Sequence, residues 1–234
     1  MNKRDLLKIE NMYDLTYTEA ASLLSGLTYP WEALPKIKDE ILRLGQKIDD
    51  DPALSAEYEK RGEDIWIHKT AKVFDSAYIA GPCLIGADTE VRQCAFIRGS
   101  ALIGKGCVIG NSTELKNVII FDSVQVPHYN YVGDSVLGYK SHMGAGSITS
   151  NVKSDKTLVA VKGYGDYSDI NIETGLKKFG AMLGDHVEVG CNSVLNPGSV
   201  IGRNTNIYPL SPVRGFVPEN SIVKTGNVIV EKKP

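Results

Sequence analysis

The run IGADTEVRQCAFIRGSALIGKGCVI, residues 85–109, places an aliphatic side chain at every sixth position: Ile85, Val91, Ile97, Ile103 and Ile109. Followed backward, the same step lands on Ile79, Val73 and Ile67; followed forward, it lands on Leu115. A second run (Leu183, Val189, Leu195, Ile201, Ile207, Val213) keeps the step without a miss. Between the two lies a shorter, shifted set of Ile120, Val126, Val132, Leu137 and Met143. Glycine often follows the aliphatic residue, as at Gly86, Gly104, Gly110, Gly144 and Gly184, and small residues such as Ala71, Ala77, Cys83, Thr89 and Ala95 stand four places after it. A period of six belongs neither to an amphipathic helix nor to a half-buried strand, whose periods are about 3.6 and 2. It fits a solenoid in which each hexapeptide supplies one short strand and one turn. The aliphatic side chain then points inward, the small residue fills the remaining core, and glycine is expected to permit the turn. Three sides make a coil of about eighteen residues, with parallel strands stacked at about 4.8 Å. The predicted class is an all-β solenoid, a parallel β-helix.

Such a solenoid has open ends that need covering. Residues 1–60 read as an N-terminal helical cap or extension, 61–225 as the β-helix, and 226–234 as a C-terminal tail. Within the first segment, Thr18 caps a short helix. A second helix runs from Trp31 to Ile48, with Leu34, Ile37, Ile41, Leu44 and Ile48 on one face and its end near Gly45. The acidic run Asp49 to Asp51 followed by Pro52 reads as a linker.

Among the 234 residues the formal net charge is −2, and the charged side chains are interspersed. That distribution points away from nucleic acid and from anionic membranes as partners. No apolar run approaches the roughly 18 residues of a bilayer span, and MNKRDLLKIENMY lacks the features of a signal peptide. A cytoplasmic location is expected. The cysteines at 83, 94, 107 and 191 match no zinc spacing, and the histidines at 68, 128, 142 and 186 are too scattered for a three-histidine zinc site. No metal is expected. Cys83 and Cys107 read as small core fillers.

Function in solenoids tends to lie where the repeat is violated. The first break runs from Asn117 to Tyr131 and contains Pro127-His-Tyr-Asn-Tyr131; the second is an inserted loop at about 149–179, rich in Gly, Tyr, Asp and Lys. Arg98 and Lys116 each follow an inward residue and stand one coil apart, so they should stack on one face. Such a pair either holds an anion such as phosphate between the two cations or is partnered by acids such as Glu90 and Glu114.

An ordered set of residues adds to this: Arg98 in FIRGSALIG, Lys116 in NSTELKN, His128 and Tyr131 in VPHYNYVGDS, and MGAGSITSN ending at Asn151. Here the chain resembles the acetyltransferase half of the bifunctional enzyme that makes UDP-N-acetylglucosamine, together with its archaeal sugar-1-phosphate relatives. The segment GLKKFGAMLGDHVEVGCNSVLNPGSVIG is similar to the archaeal members. The resemblance covers roughly residues 65–215. It implies a left-handed parallel β-helix that assembles as a homotrimer, with the site in the cleft between subunits and acetyl-CoA as co-substrate. By the same resemblance His128 is the general base, while Arg98, Lys116 and Tyr131 hold an amino-sugar phosphate. The Ala145 N–H stabilises the oxyanion, and Asn151 places the coenzyme or the amine. His142 stands where the family has a sugar-contacting Asn, Val152 where it has Tyr, and Cys191 where it has a coenzyme-side Ser. Lys156, rather than Lys153, is preferred for the family's further substrate lysine. The nucleotidyltransferase half has no counterpart, and that activity is not expected. The competing expectation is a non-catalytic trimeric module that binds a sugar nucleotide or an acyl carrier.

Overall fold

The computed structural model describes residues 2–226 and 228–232. The chain forms the expected all-β solenoid, a parallel β-helix of hexapeptide repeats. Its inward residues stack in three ladders. Ile67, Ile85, Ile103 and Ile120 pair in register on the first face, and Val73, Val91, Ile109 and Val126 on the second. Ile79, Ile97, Leu115 and Val132 do so on the third. Both breaks in the repeat leave these ladders intact. Leu137 pairs with Leu183 and Met143 with Val189, so the long insertion leaves the chain and returns without a slip.

The first break is not a looped-out segment. The aliphatic step shortens from six to five between Leu115 and Ile120 and again between Val132 and Leu137. There the strands Glu114–Ile120 and Tyr131–Leu137 run straight through a corner. Asn117 and Asp134 make that tightened corner at φ 55° and 49°, a region in which Asn and Asp are the least strained non-glycine residues.

The glycines play a part other than the one expected. The residue with positive φ stands three places after the inward aliphatic, at Asp88, Ser112, Asn192 and their equivalents. Gly86 and Gly144 are not among them. A Cβ on Gly86 would come within 2.7 Å of the Gly104 carbonyl carbon, and one on Gly144 within 2.7 Å of the Cys191 nitrogen. These positions need glycine because adjacent coils touch there.

The N-terminal helical segment lies along the flank of the solenoid rather than across its end. On the first face the outward residues Leu84, Leu102, Ile119, Val136, Met182 and Val200 are apolar and buried. The helix Ile37–Asp50 packs over the strands of Leu84, Leu102 and Ile119, and the 3-10 turn Pro30–Lys36 over that of Val136. Backbone bonds pin the segment: Asp122 N–H donates to the Tyr17 carbonyl (2.9 Å) and Asp185 N–H to the Met12 carbonyl (3.1 Å). In the first coil, by contrast, Val73 and Ile79 remain partly exposed. The helix continues through Gly45, where the Trp66 ring presses against the backbone and leaves no room for a Cβ. The acidic run is not a linker. Asp49 accepts from Trp66 Nε1 at 2.9 Å, and Asp51 caps the helix Pro52–Glu57 by accepting from Ala53 N–H at 2.9 Å. In the tail, Val228–Glu231 pairs antiparallel with Ser221–Lys224, whereas Asn227, Lys233 and Pro234 lie outside the described residues.

Met182→Ala tests whether this flank is a true core. The substitution is expected to lower unfolding free energy by about 2–5 kcal/mol, measured by urea denaturation. A solvent-facing residue would change it by less than about 0.5 kcal/mol.

The second break forms an arm folded onto its own chain. Ala160–Lys162 and Asn171–Glu173 make an antiparallel hairpin, with Val159, Val161 and Ile170 buried. Tyr167 meets Phe216 edge-on at 5.2 Å, and Phe179 packs on Trp31 at 5.7 Å.

Candidate functional site

The site residues read from the sequence fall into two groups on either side of one corner of the solenoid. His128 ends the strand Gln125–His128 on the second face, and Tyr131 begins the strand on the third. Asn130, buried between them, accepts the His128 N–H through Oδ1 (3.1 Å) and donates to the Gly144 and Ser147 carbonyls at 2.9 and 3.1 Å. One side chain thus ties the histidine to the Gly144-Ala145-Gly146 turn in the next coil.

The first group is a column along that corner. Asn111 pairs in register with His128, and its Oδ1 lies 3.1 Å from His128 Nδ1. A carbonyl oxygen can only accept, so in this contact Nδ1 is the donor, and in the neutral ring the lone pair is then on Nε2. Above it, Gly146 N–H donates to the His128 carbonyl (3.0 Å), and Asn192 N–H to that of Ala145 (2.8 Å). Ala145 and Cys191 therefore follow His128 coil by coil. The Ala145 N–H has no backbone acceptor among the described residues. The same holds for Cys191, whereas the His128 N–H in the same column is taken by Asn130 Oδ1.

The second group occupies the third face. Arg98 and Lys116 stack one strand apart, as their spacing requires. Each is already paired: Arg98 with Glu114 at 2.7 Å and Lys116 with Asp134 at 3.0 Å. Asp134 is the hub. It is nearly fully buried and also accepts from Asn117 Nδ2 (2.9 Å) and Asn151 Nδ2 (2.6 Å). Asn151 reaches the Tyr131 hydroxyl at 3.2 Å. It therefore belongs with the cations and Tyr131, not with Ala145 and Cys191. Gly133 makes this possible, because a Cβ there would meet the Tyr131 ring at 2.8 Å. Burial, followed by the Asp134 charge, pushes the Tyr131 hydroxyl above the usual tyrosine range.

The remaining residues stand apart. His142 begins the strand His142–Met143 on the second face, 2.9 Å from Glu188. Lys156 is exposed on the insertion at φ 56°. Lys153 is 3.4 Å from Asp155, at a cavity beside Asn151. Among the described residues, no hydrogen bond or ion pair joins His128 to Arg98, Lys116 or Tyr131. Asn130, expected with Tyr129 to narrow the pocket, is instead buried under the corner. Asn111 and Asp134 escaped the sequence reading. Their signal was register: Asn111 precedes His128 by one coil, and Asp134 sits where the hexapeptide step shortens. Among the described residues, no cluster of three or more His, Cys, Asp or Glu side chains is placed to hold a metal ion.

The cysteines divide by burial. Cys83 and Cys107 are enclosed, and burial pushes both thiols up to about 12, whereas Cys94 and Cys191 are exposed. Iodoacetamide at pH 8 is expected to label Cys94 and Cys191 in the native protein and all four in denaturant, read by mass spectrometry.

Sequence comparison matches residues 79–189 to the family described as GMPPB C-terminal domain. The bifunctional sugar-1-phosphate nucleotidylyltransferase/acetyltransferase of Sulfurisphaera tokodaii is 37% identical over 95 residues, covering 41% of this chain and 23% of that protein. Bifunctional protein GlmU of Methanococcus maripaludis is 32% identical over 122 residues, 51% of this chain and 28% of the other. The match thus spans about a quarter of the length of these curated relatives. Their names are those of the group that the motifs from Arg98 to Asn151 resemble. Among solved structures, the acetyltransferase domain of PglB from Neisseria gonorrhoeae, in complex with acetyl coenzyme A, has a TM-score of 0.38 at 15% identity. It covers 83% of this chain and 67% of that one. AntD, an N-acyltransferase from Bacillus cereus in complex with dTDP and 3-hydroxybutyryl-CoA, has a TM-score of 0.36 at 16% identity, covering 76% and 84%.

Proposed function

We propose that this chain is an acetyl-CoA-dependent N-acetyltransferase that acts on an amino-sugar phosphate and works as a homotrimer. The observation that carries this reading is the Asn111–His128 pair, in which Nδ1 faces the amide oxygen, so that the neutral imidazole has Nε2 as its acceptor. An amine attacks a thioester only when unprotonated. His128 takes the amine proton as the nitrogen bonds to the thioester carbon. The Ala145 N–H donates to the oxyanion. The C–S bond then breaks, and the proton passes to the leaving thiolate, giving an amide and free coenzyme A. Cys191, one coil beyond Ala145, flanks the coenzyme; Arg98, Lys116, Tyr131 and Asn151 hold the sugar phosphate. His142 and Lys156 are assigned to the edge of the acceptor site.

His128 and the cation cluster lie on different faces of one chain. A cleft lined by both arises when the second face of one subunit meets the third face of the next, which is the reason for proposing a trimer. Among the described residues, no helix is long and apolar enough to cross a membrane, and cytoplasmic residence is part of the proposal.

Glu114 and Asp134 already neutralise Arg98 and Lys116. That favours a second reading, a non-catalytic trimeric module that binds a sugar nucleotide or an acyl carrier. Thiol release from acetyl-CoA over a panel of amino-sugar phosphates separates the two. Acceptor-dependent release supports the enzyme, and its absence across the panel supports the module.

A further inference from the structure

Arg98, Lys116, Gly133, Ser150, Asn196 and Arg214 each follow the inward position of the third face, and strand pairing sets them one above another. At about 4.8 Å per coil, Arg214 stands about 14 Å beyond Gly133. Ser150, Asn196 and Arg214 form one side of a cavity of about 440 Å³, and Lys153, Lys162 and Tyr164 of the insertion form the other. Its cations differ from those at the acceptor cluster. Arg98 and Lys116 each hold a carboxylate, and Lys153 has Asp155 at 3.4 Å. Lys162 and Arg214 have no carboxylate partner among the described residues, and Arg214 reaches only Asn196 Oδ1, at 3.5 Å. Beside them Tyr164 is 49% exposed. Its ring lies against Gly215, where a Cβ would come within 2.7 Å of Cε2. Two unpaired cations next to a propped, exposed aromatic ring provide the chemistry that recognises phosphates and a stacked base.

We propose that this cavity binds a nucleoside diphosphate, so that the acceptor is an amino sugar carried on a nucleoside diphosphate. Its sugar lies at Tyr131 and Asn151, and its diphosphate and nucleoside at Lys162, Arg214 and Tyr164. For this acceptor Arg98 and Lys116 face the sugar, whereas they hold the phosphate of a free sugar phosphate. The sugar end of this inference rests on the acetyltransferase reading; the nucleotide end does not.

Isothermal titration of the purified full chain with UDP tests it. UDP is expected to bind, and the double variant Lys162→Gln/Arg214→Gln to bind it about 100-fold more weakly, about tenfold per charge-assisted contact. Tyr164→Ala is expected to cost about tenfold. In turnover, these substitutions raise KM for a UDP-linked amino sugar and leave KM for glucosamine-1-phosphate unchanged. The proposal is overturned if UDP gives no binding, or if the double variant binds it as tightly as the wild type. It is equally overturned if adenosine 3′,5′-bisphosphate, which mimics the nucleotide end of the coenzyme, binds at these residues and UDP does not. UDP binding without any thiol release would sink the acetyltransferase reading alone; thiol release without UDP binding would sink the nucleotide site alone.

Discussion

Replacing His128 by alanine is expected to cut acceptor-dependent thiol release by about 10²–10⁴-fold, the range for loss of a general base. The thermal midpoint should stay within a few degrees, because the ring is exposed and its loss opens no core cavity. Asn111 refines the test. It fixes the tautomer through a 3.1 Å contact, so Asn111→Ala should lower kcat by a smaller factor while leaving acceptor KM in place. If His128→Ala retained wild-type turnover, the histidine would have no part in the chemistry. The Asn111 contact would then be a surface hydrogen bond and nothing more.

The second large effect falls on stability. Asp134→Ala removes the acceptor of Lys116, Asn117 and Asn151 together. Breaking a buried ion pair in this way costs about 3–5 kcal/mol, and alanine in the left-handed region at φ 49° adds about 1 kcal/mol more. Urea denaturation should register that sum. Asp134→Asn, which tolerates the same backbone and keeps the side-chain volume, should lose less. The Tyr131 hydroxyl provides an independent readout. Its pKa is raised by burial and by the neighbouring carboxylate, so removing the carboxylate should lower it, as seen by ultraviolet titration. A loss below about 1 kcal/mol would mean that Lys116 turns freely into solvent and that the cluster is not preformed.

Much of the solenoid was legible because a period of six has no other simple physical source. Every aliphatic residue of the long runs points inward, since one large side chain per face is all a narrow triangular core admits. The covered flank was harder to read. Ala101-Leu102-Ile103 and Ala181-Met182-Leu183 are apolar on both sides of the strand, and that pattern marks a strand buried on both faces. Attention to the inward residue alone hides it. Gly45 reads as a helix stop by propensity, yet Trp66 packs against its backbone and the helix carries on; tertiary contact overrode the local preference. The stacking of Arg98 on Lys116 followed from coil arithmetic, whereas the place of Asn151 beside Lys116 and Tyr131 did not. Asp134, the residue that organises them, sits at a corner where the arithmetic changes. Spacing along one chain sets His128 and Lys116 on different faces, but it does not say whether a neighbouring protomer brings the two faces together.

That division of labour is the central claim, and subunit complementation tests it most directly. His128→Ala and Arg98→Ala/Lys116→Ala chains are each expected to be inactive alone. Co-expressed in equal amounts and purified together as randomly assembled trimers, they should recover about one quarter of wild-type thiol release, since one site in four of that population draws an intact second face and an intact third face from adjacent chains. Mixed assemblies no more active than either variant by itself would contradict the account.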